Sequence, residues 1–573
     1  MAEFKPLTND TNLPMRSPNI VMDLPRLGSL YPYPLSFMRC LLRRVMNEMW
    51  KINGTIFNLD EEGFGEVVYE ITTPNAVYSY VIFSKKLPDS KRSDRVIAED
   101  WDMTVTLCEG QIDQNRLEFL RSNVPLQEKG RVDSKCLVLS RANKSMRNFE
   151  YVIDCLSNGK QPDLDRIAKV GYIFRTTAVY GSGKFGMSDW DNLRNKCIDF
   201  AKPFSAEMFS CFMIRHFSLE LANWVAKGRS PDTSVELDDG IKRYIGIGNA
   251  TGLGMAPYLI KHPMLIANWI EVRETSLARI IQYKSPDNDS LGKLECLIMK
   301  AAQHLDEIST DNLEQNELNK RAVHEVNECL KWIKAKSETL VNWQELINHA
   351  SHNYRVETQE LINAILTEVY AKFILDLESE LNIDENYRMQ PMMKLNKLKS
   401  LIEKNYKWAL KYDFTKSSST ETFWYRSEEK QEPRLGKKSI DTGIEKEMMM
   451  CIARDVRSCF DEICDIEDSN TSITVAHFAF SRPHLRYIIR RIQTMGLTQY
   501  GEIVANLLDA DVLPIHLLRC KLSFFGVGKF DPRSKKWVRN TMFQGAPLVS
   551  DIGNEYNDTW CFPIRPKCSE KPN

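Results

Sequence analysis

The sequence predicts an α+β protein, mainly helical, with a small antiparallel sheet near the N-terminus and a helical bundle in the middle to C-terminal part. Three observations carry this expectation. Residues 65–72 and 77–84 are rich in Val, Tyr and Ile and flank the turn-forming Thr73-Pro74-Asn75-Ala76, so they read as a hairpin. Residues 291–412 show helical spacing almost throughout, with apolar side chains three and four apart. Between them, two glycine clusters frame a strongly apolar stretch, 204–226.

A chain of 573 residues exceeds one ordinary core, so roughly two to four domains are expected. The pattern divides it into an α+β region, 1–165; a glycine-rich central region, 166–290; a helical bundle, 291–414; and a connection with a mixed C-terminal region, 415–573. Residues 1–30 are polar and punctuated by proline, which suggests an extended arm over the surface. The first helix is expected over 35–50. Met38, Leu41, Leu42, Val45 and Met49 share one face, with Arg39 and Arg43 on another as a solvated stripe. Further strands are expected at 103–108 and 135–140.

The stretch 204–226 is apolar around most of its circumference and should be a buried helix. In the bundle region, Val323, Val326, Leu330 and Ile333 repeat at helical spacing, as do Ile362, Ile365, Val369, Phe373 and Leu377. These heptads end too soon for a long coiled coil. The polar segment 415–443 reads as a connection, interrupted by Phe423-Trp424-Tyr425.

Composition narrows the function. Hydrophobic residues make up 43%, charged residues 27%, and the net charge is −1. There is thus no global field favouring nucleic acid or an acidic membrane. No apolar run reaches the roughly eighteen residues of a membrane span, and the N-terminus has no apolar signal core. A cytoplasmic protein is the expectation. The fourteen cysteines are scattered without a C-x-x-C pair. They read as reduced, buried small hydrophobes, neither a disulfide frame nor a zinc site. No metal site is expected, and the sequence names no cofactor.

Candidate chemistry lies in the glycine clusters and the apolar helix. Tyr180-Gly181-Ser182-Gly183-Lys184-Phe185 recurs as Phe525-Gly526-Val527-Gly528-Lys529-Phe530. Glycine N–H groups can converge on an oxyanion while lysine adds a point charge. The spacing is not that of a Walker A loop, and phenylalanine follows each lysine. The second copy reads better as a tight turn. Gly246, Gly248, Gly252 and Gly254 form a second loop, preceding a helix that opens at Pro263, and are not spaced as a dinucleotide fingerprint. Asn249 and Thr251 add side-chain donors. Close packing of backbone against a neighbouring helix is the alternative role for these glycines. On the apolar helix, His216, Glu220 and Asn223 fall at i, i+4 and i+7 and share a face, as an oriented acid–base pair or a polar stripe. His349 and His352 lack a completing ligand set.

The expected function is an enzyme or binder acting on a small anionic ligand, a carboxylate or phosphate. Loops 180–186 and 246–254 would face one pocket, with Lys184 as main cation, Arg175 assisting, Gly181, Gly183, Gly246, Gly248, Asn249, Thr251, Gly252 and Gly254 lining it, and His262 as proton carrier. His216 and Glu220 are the other catalytic candidates. The alternative is a non-enzymatic interaction or scaffold protein using the helical region. A homo-oligomer is compatible with either; neither nucleic acid nor membrane is an expected partner.

Overall fold

The computed structural model describes residues 13–91, 100–127, 130–178, 197–252, 263–308, 310–381, 389–415, 422–425, 433–436, 448–467, 473–496, 498–503, 515–534, 537–555 and 558–566. The chain divides into two compact units. One comprises 31–252, 295–330 and 522–573; the other comprises 1–30, 253–294 and 331–521.

Thirteen strands are described. In chain order they are β1 Lys51–Leu59, β2 Gly65–Thr72, β3 Val77–Ser84, β4 Met103–Glu109, β5 Gly130–Arg131, β6 Cys136–Lys144, β7 Tyr172–Thr176, β8 Gly246–Gly252, β9 Thr422–Tyr425, β10 Pro433–Gly436, β11 Met448–Met450, β12 Lys529–Ser534 and β13 Trp537–Met542. Ten of them build one sheet in the first unit, in the order β1-β2-β3-β4-β6-β7-β8-β13-β12, with β5 beside β6. Every neighbouring pair is antiparallel except β7 and β8.

The hairpin β2–β3 has the register expected from its turn, Gly65 opposite Ser84 through Thr72 opposite Val77. Its period of two sorts the side chains between faces. Val68 and Val81 pair across the strands and pack with Cys108, Val138, Leu117 and Leu120, so the helix Gln114–Asn123 covers that face. Tyr69 and Tyr80 pair one step along and point the other way. There the Tyr80 hydroxyl lies 2.7 Å from Ser210 Oγ on the helix Ser205–Arg229. That central helix is the apolar stretch of the sequence, and eighteen of its side chains are buried.

The sheet is therefore large, not small, and is mixed by virtue of one parallel pair. Its extension through β7, β8, β12 and β13 escaped the sequence pattern: three glycines mask the alternation in β8, and β7, β12 and β13 are only five or six residues long. Gly246–Gly252 is a strand held between β7 and β13, where a loop was expected. A Cβ on Gly246 would sit 2.4 Å from the Met542 carbonyl oxygen, and one on Gly248 would sit 2.5 Å from the Tyr172 ring. These two glycines serve close packing between neighbours, and the strand's backbone polar groups are committed to the ladder.

The second unit is mostly helical, including Pro263–Tyr283, Trp343–Asn353, Val356–Val369, Leu395–Asn405, Ile452–Glu467 and Arg486–Met495. The region 291–412 is not one bundle: 295–330 groups with the sheet and 331–412 with these helices. Strands β9 and β10, within the segment 415–443 expected to be a connection, pair with β11 just beyond it into a three-stranded antiparallel sheet.

Other expectations are also corrected. The N-terminal arm is anchored: Val21, Met22, Leu24, Leu27 and Leu30 are buried. Arg16 forms a bidentate pair with Glu274, 2.8 and 2.7 Å, and reaches Glu360 at 2.7 Å. Arg26 (2.7 Å) and Arg273 (3.1 Å) complete the cage around Glu360. Arg39 and Arg43 are no solvated stripe; both are buried and share Asp558, at 2.9 and 2.8 Å. Cys108 and Cys136, directly opposite each other on β4 and β6, form a disulfide where reduced thiols were expected.

Candidate ligand cleft

The site begins with a turn. Between β1 and β2 the chain reverses at 60–64, with Gly63 at φ +83°, a conformation glycine adopts freely. A Cβ there would stand 2.4 Å from Leu221 Cδ1, so the turn presses directly on the central helix. It also fixes Trp224, whose Nε1 donates to the Asp60 carbonyl at 2.9 Å. On the other side, Asn223 Oδ1 accepts from the Leu237 amide at 3.0 Å and anchors the segment that forms the rim.

Between these supports runs a cleft of about 690 Å³, lined by Phe57, His216, Leu219, Glu220, Asn223, Trp224, Lys227, Ser234, Val235, Lys242, Leu548 and Ser550, among others. Its volume falls in the range of ordinary small-molecule sites. His216, Glu220, Asn223 and Lys227 lie on one helical face, so their order along the cleft follows from 3.6 residues per turn.

His216 Nε2 is 3.5 Å from Glu220 Oε2. The Tyr69 hydroxyl donates to the same carboxylate oxygen. Tyr69 is buried, and burial together with the adjacent Glu220 carboxylate holds its own proton firmly, well above the usual phenol range. The direction of the chain is thus fixed: phenol donates, carboxylate accepts, imidazole faces the carboxylate. Burial lowers the His216 pKa from its ordinary value; Glu220 opposes this and Arg215 reinforces it. At neutral pH the ring is therefore uncharged and able to take a proton.

Arg215, one residue before His216, shapes the far wall. Its fully buried guanidinium donates to five carbonyl oxygens: Ile245 (2.7 Å), Ala546 and Pro547 (2.9 Å each), Lys242 and Arg243 (3.1 Å each). Burial without a contacting carboxylate pulls its pKa down to about 9, and it remains cationic at neutral pH. The ion pair between Arg243 and Asp551, 2.7 Å, closes the same wall. One side chain thus ties the helix Asp239–Tyr244 and the segment leading to Leu548 onto the central helix.

Of the residues singled out from sequence, His216, Glu220 and Asn223 are brought together at this cleft. Gly246, Gly248, Asn249, Thr251 and Gly252 lie within β8; Asn249 Nδ2 donates to the Thr176 carbonyl at 2.8 Å, and the Thr251 hydroxyl to Asn249 Oδ1 at 3.2 Å. Arg175 stands on β7 opposite Asn143 and Gly248. None of these six lines the cleft. Gly181, Gly183, Lys184, Gly254 and His262 lie outside the described residues. In the second copy of the glycine motif, Gly526 turns at φ +102° and Lys529 is buried, donating to the Ala168 carbonyl at 3.0 Å.

Sequence reasoning missed Phe57, Tyr69, Trp224 and Lys227. Trp224 and Lys227 were within reach, since they extend the His216 face by a further turn. Phe57 and Tyr69 come from strands far away in sequence and carried no local signal. Among the described residues, no group of three or more His, Cys, Asp and Glu side chains is placed to hold a metal ion. No helix among them is long and apolar enough to cross a membrane. Comparison with protein-family models, with curated proteins and with solved structures returns no match to this chain.

Proposed function

We propose that the sheet-bearing unit binds a small anionic organic ligand in the cleft along the central helix, with His216 as the group that accepts a proton from it. The carrying observation is the Tyr69–Glu220–His216 chain opening onto a cleft of ligand size. A carboxylate that faces one imidazole nitrogen orients the ring and stabilises the imidazolium formed on protonation. Burial keeps the resting ring neutral. Lys227, exposed in the lining, supplies the positive charge that favours an anion. General-base assistance of this kind contributes about 10²- to 10⁴-fold where a reaction follows.

The test is a panel of carboxylates and phosphates screened by thermal shift, followed by NMR of protein labelled in its histidine rings. A true ligand raises the melting temperature by mass action and moves the His216 signals. His216→Gln should abolish the pH dependence of binding while leaving the fold intact. A panel that never perturbs His216 would remove the proposal.

A further inference from the structure

We infer that the ligand of this cleft is a planar aromatic carboxylate; the inference rests on the reading of the cleft as a binding site. Four rings form a row at the cleft: Trp224, Phe57 and His216 line it, and the buried Tyr69 links Phe57 to His216. Trp224 and Phe57 have centroids 6.0 Å apart, Phe57 and Tyr69 5.9 Å, and Tyr69 and His216 5.4 Å. The first and last of the row differ in a telling way. His216 carries the proton chemistry, whereas Trp224 is 39% exposed although its Nε1 is already satisfied by Asp60. An indole pinned by a hydrogen bond and by the Gly63 turn, yet open on a face, offers a rigid surface for a flat partner.

The charge next to it selects the head group. Lys227 lies three residues beyond Trp224, hence on the same side of the helix. It makes no ion pair among the described residues, whereas Lys242 is drawn to Asp239 at 2.9 Å. Glu220 is occupied by Tyr69 and His216, and Glu236 sits exposed on the rim. One unpaired cation opposite one rim carboxylate suits a singly charged anion better than a dianion. From His216 to Lys227 the helix rises roughly 16 Å. A fused-ring acid therefore rests on Trp224 with its carboxylate at Lys227 and extends toward His216.

The experiment is calorimetric titration of the full chain with 2-naphthoate, its fully saturated counterpart and 2-naphthamide, run beside NMR of labelled histidine. Naphthoate should bind the most tightly of the three. Trp224→Leu should weaken it by roughly 2- to 10-fold, the measured range for one ring–ring contact, and should erase its advantage over the saturated acid. Lys227→Met, at an exposed position, should leave folding unchanged and reduce the acid-over-amide preference by roughly 2- to 5-fold. Equal affinity for the flat and saturated acids, with His216 signals still moving, would overturn the planar class and leave the cleft as a binding site. Failure of all three compounds to move His216, while another small anion does so, would also overturn the aromatic class alone. Failure of every anion tested would overturn both readings.

Discussion

Two buried charges, one in each unit, are held by opposite means. In the helical unit, Glu360 is enclosed by Arg16, Arg26 and Arg273, so each ion is matched by ions of the other sign. In the sheet unit, Arg215 is equally buried but is held by five neutral carbonyl oxygens. Burial pushes the Glu360 carboxyl up, but the three guanidiniums outweigh it and hold the group well below the usual carboxylate range. Burial of Arg215 outweighs the opposing influence of Asp551, with Arg243 adding to it, and pulls the group down. The ionic cage fastens distant chain segments to one another. The carbonyl cage instead shapes backbone, fixing where two loop ends lie beside a cleft.

Breaking each cage should separate the two mechanisms. Glu360→Ala leaves three cations around an empty centre and should cost about 3–5 kcal/mol, read as a lowered urea midpoint. A loss below about 1 kcal/mol would show that solvent already reaches the cage. Arg215→Met leaves buried carbonyls without donors, a penalty of about 1–3 kcal/mol. Its distinctive effect should be faster hydrogen exchange at 242–245 and 546–550, with the Glu360 cage undisturbed. Protection unchanged in those segments would remove Arg215 from its wall-forming role.

Acid sharpens the contrast. The folded pKa of Glu360 lies below the unfolded value of about 4.3. The unfolded state therefore binds the proton first, and the cage's contribution is fully present above that value and lost progressively as pH falls below it and through the lower folded pKa. His216 also has a depressed folded pKa. Between that value and the ordinary 6.5 or so the unfolded chain binds more protons, so the sheet unit should begin to lose stability nearer neutrality, by a smaller amount. Glu220→Gln should push the His216 midpoint further down, because the carboxylate is the influence that raises it. A midpoint that stayed or rose in an NMR titration would contradict the pairing. The smallest effect is expected of Tyr69→Phe, which removes one donor to a carboxylate that is 40% exposed and can accept from water instead; it should cost about 0.5–1.5 kcal/mol, read as a lowered urea midpoint.

Local signals and long-range ones fared differently in the sequence. The β2–β3 hairpin was legible because its turn and its alternation agree. The central helix, with His216 and Glu220 one turn apart, was legible because helical spacing is a local property. What failed was inference from glycine. Gly246 and Gly248 have the same sequence signature as a ligand loop, yet their missing side chains make room for Met542 and Tyr172, a fact that depends on strands remote in sequence on both sides. Arg39 and Arg43 failed similarly, since Asp558 lies more than five hundred positions along the chain. Tyr69 reaches the candidate site from a strand whose pattern announces only a sheet.

The bond between Cys108 and Cys136 closes a covalent ring over a sequence separation of 28, and the helix Gln114–Asn123 lies inside that ring. A protease that cuts the intervening segment would release nothing: the two pieces would travel together until a reductant parted them. A cut in this segment would thus stay invisible to any sizing method that keeps disulfides intact. The ring also confines the unfolded chain, worth roughly 3–4 kcal/mol for a loop of this size in the chain-entropy account. The loop that carries the covering helix is, in effect, kept on a tether whose release is chemical, not thermal.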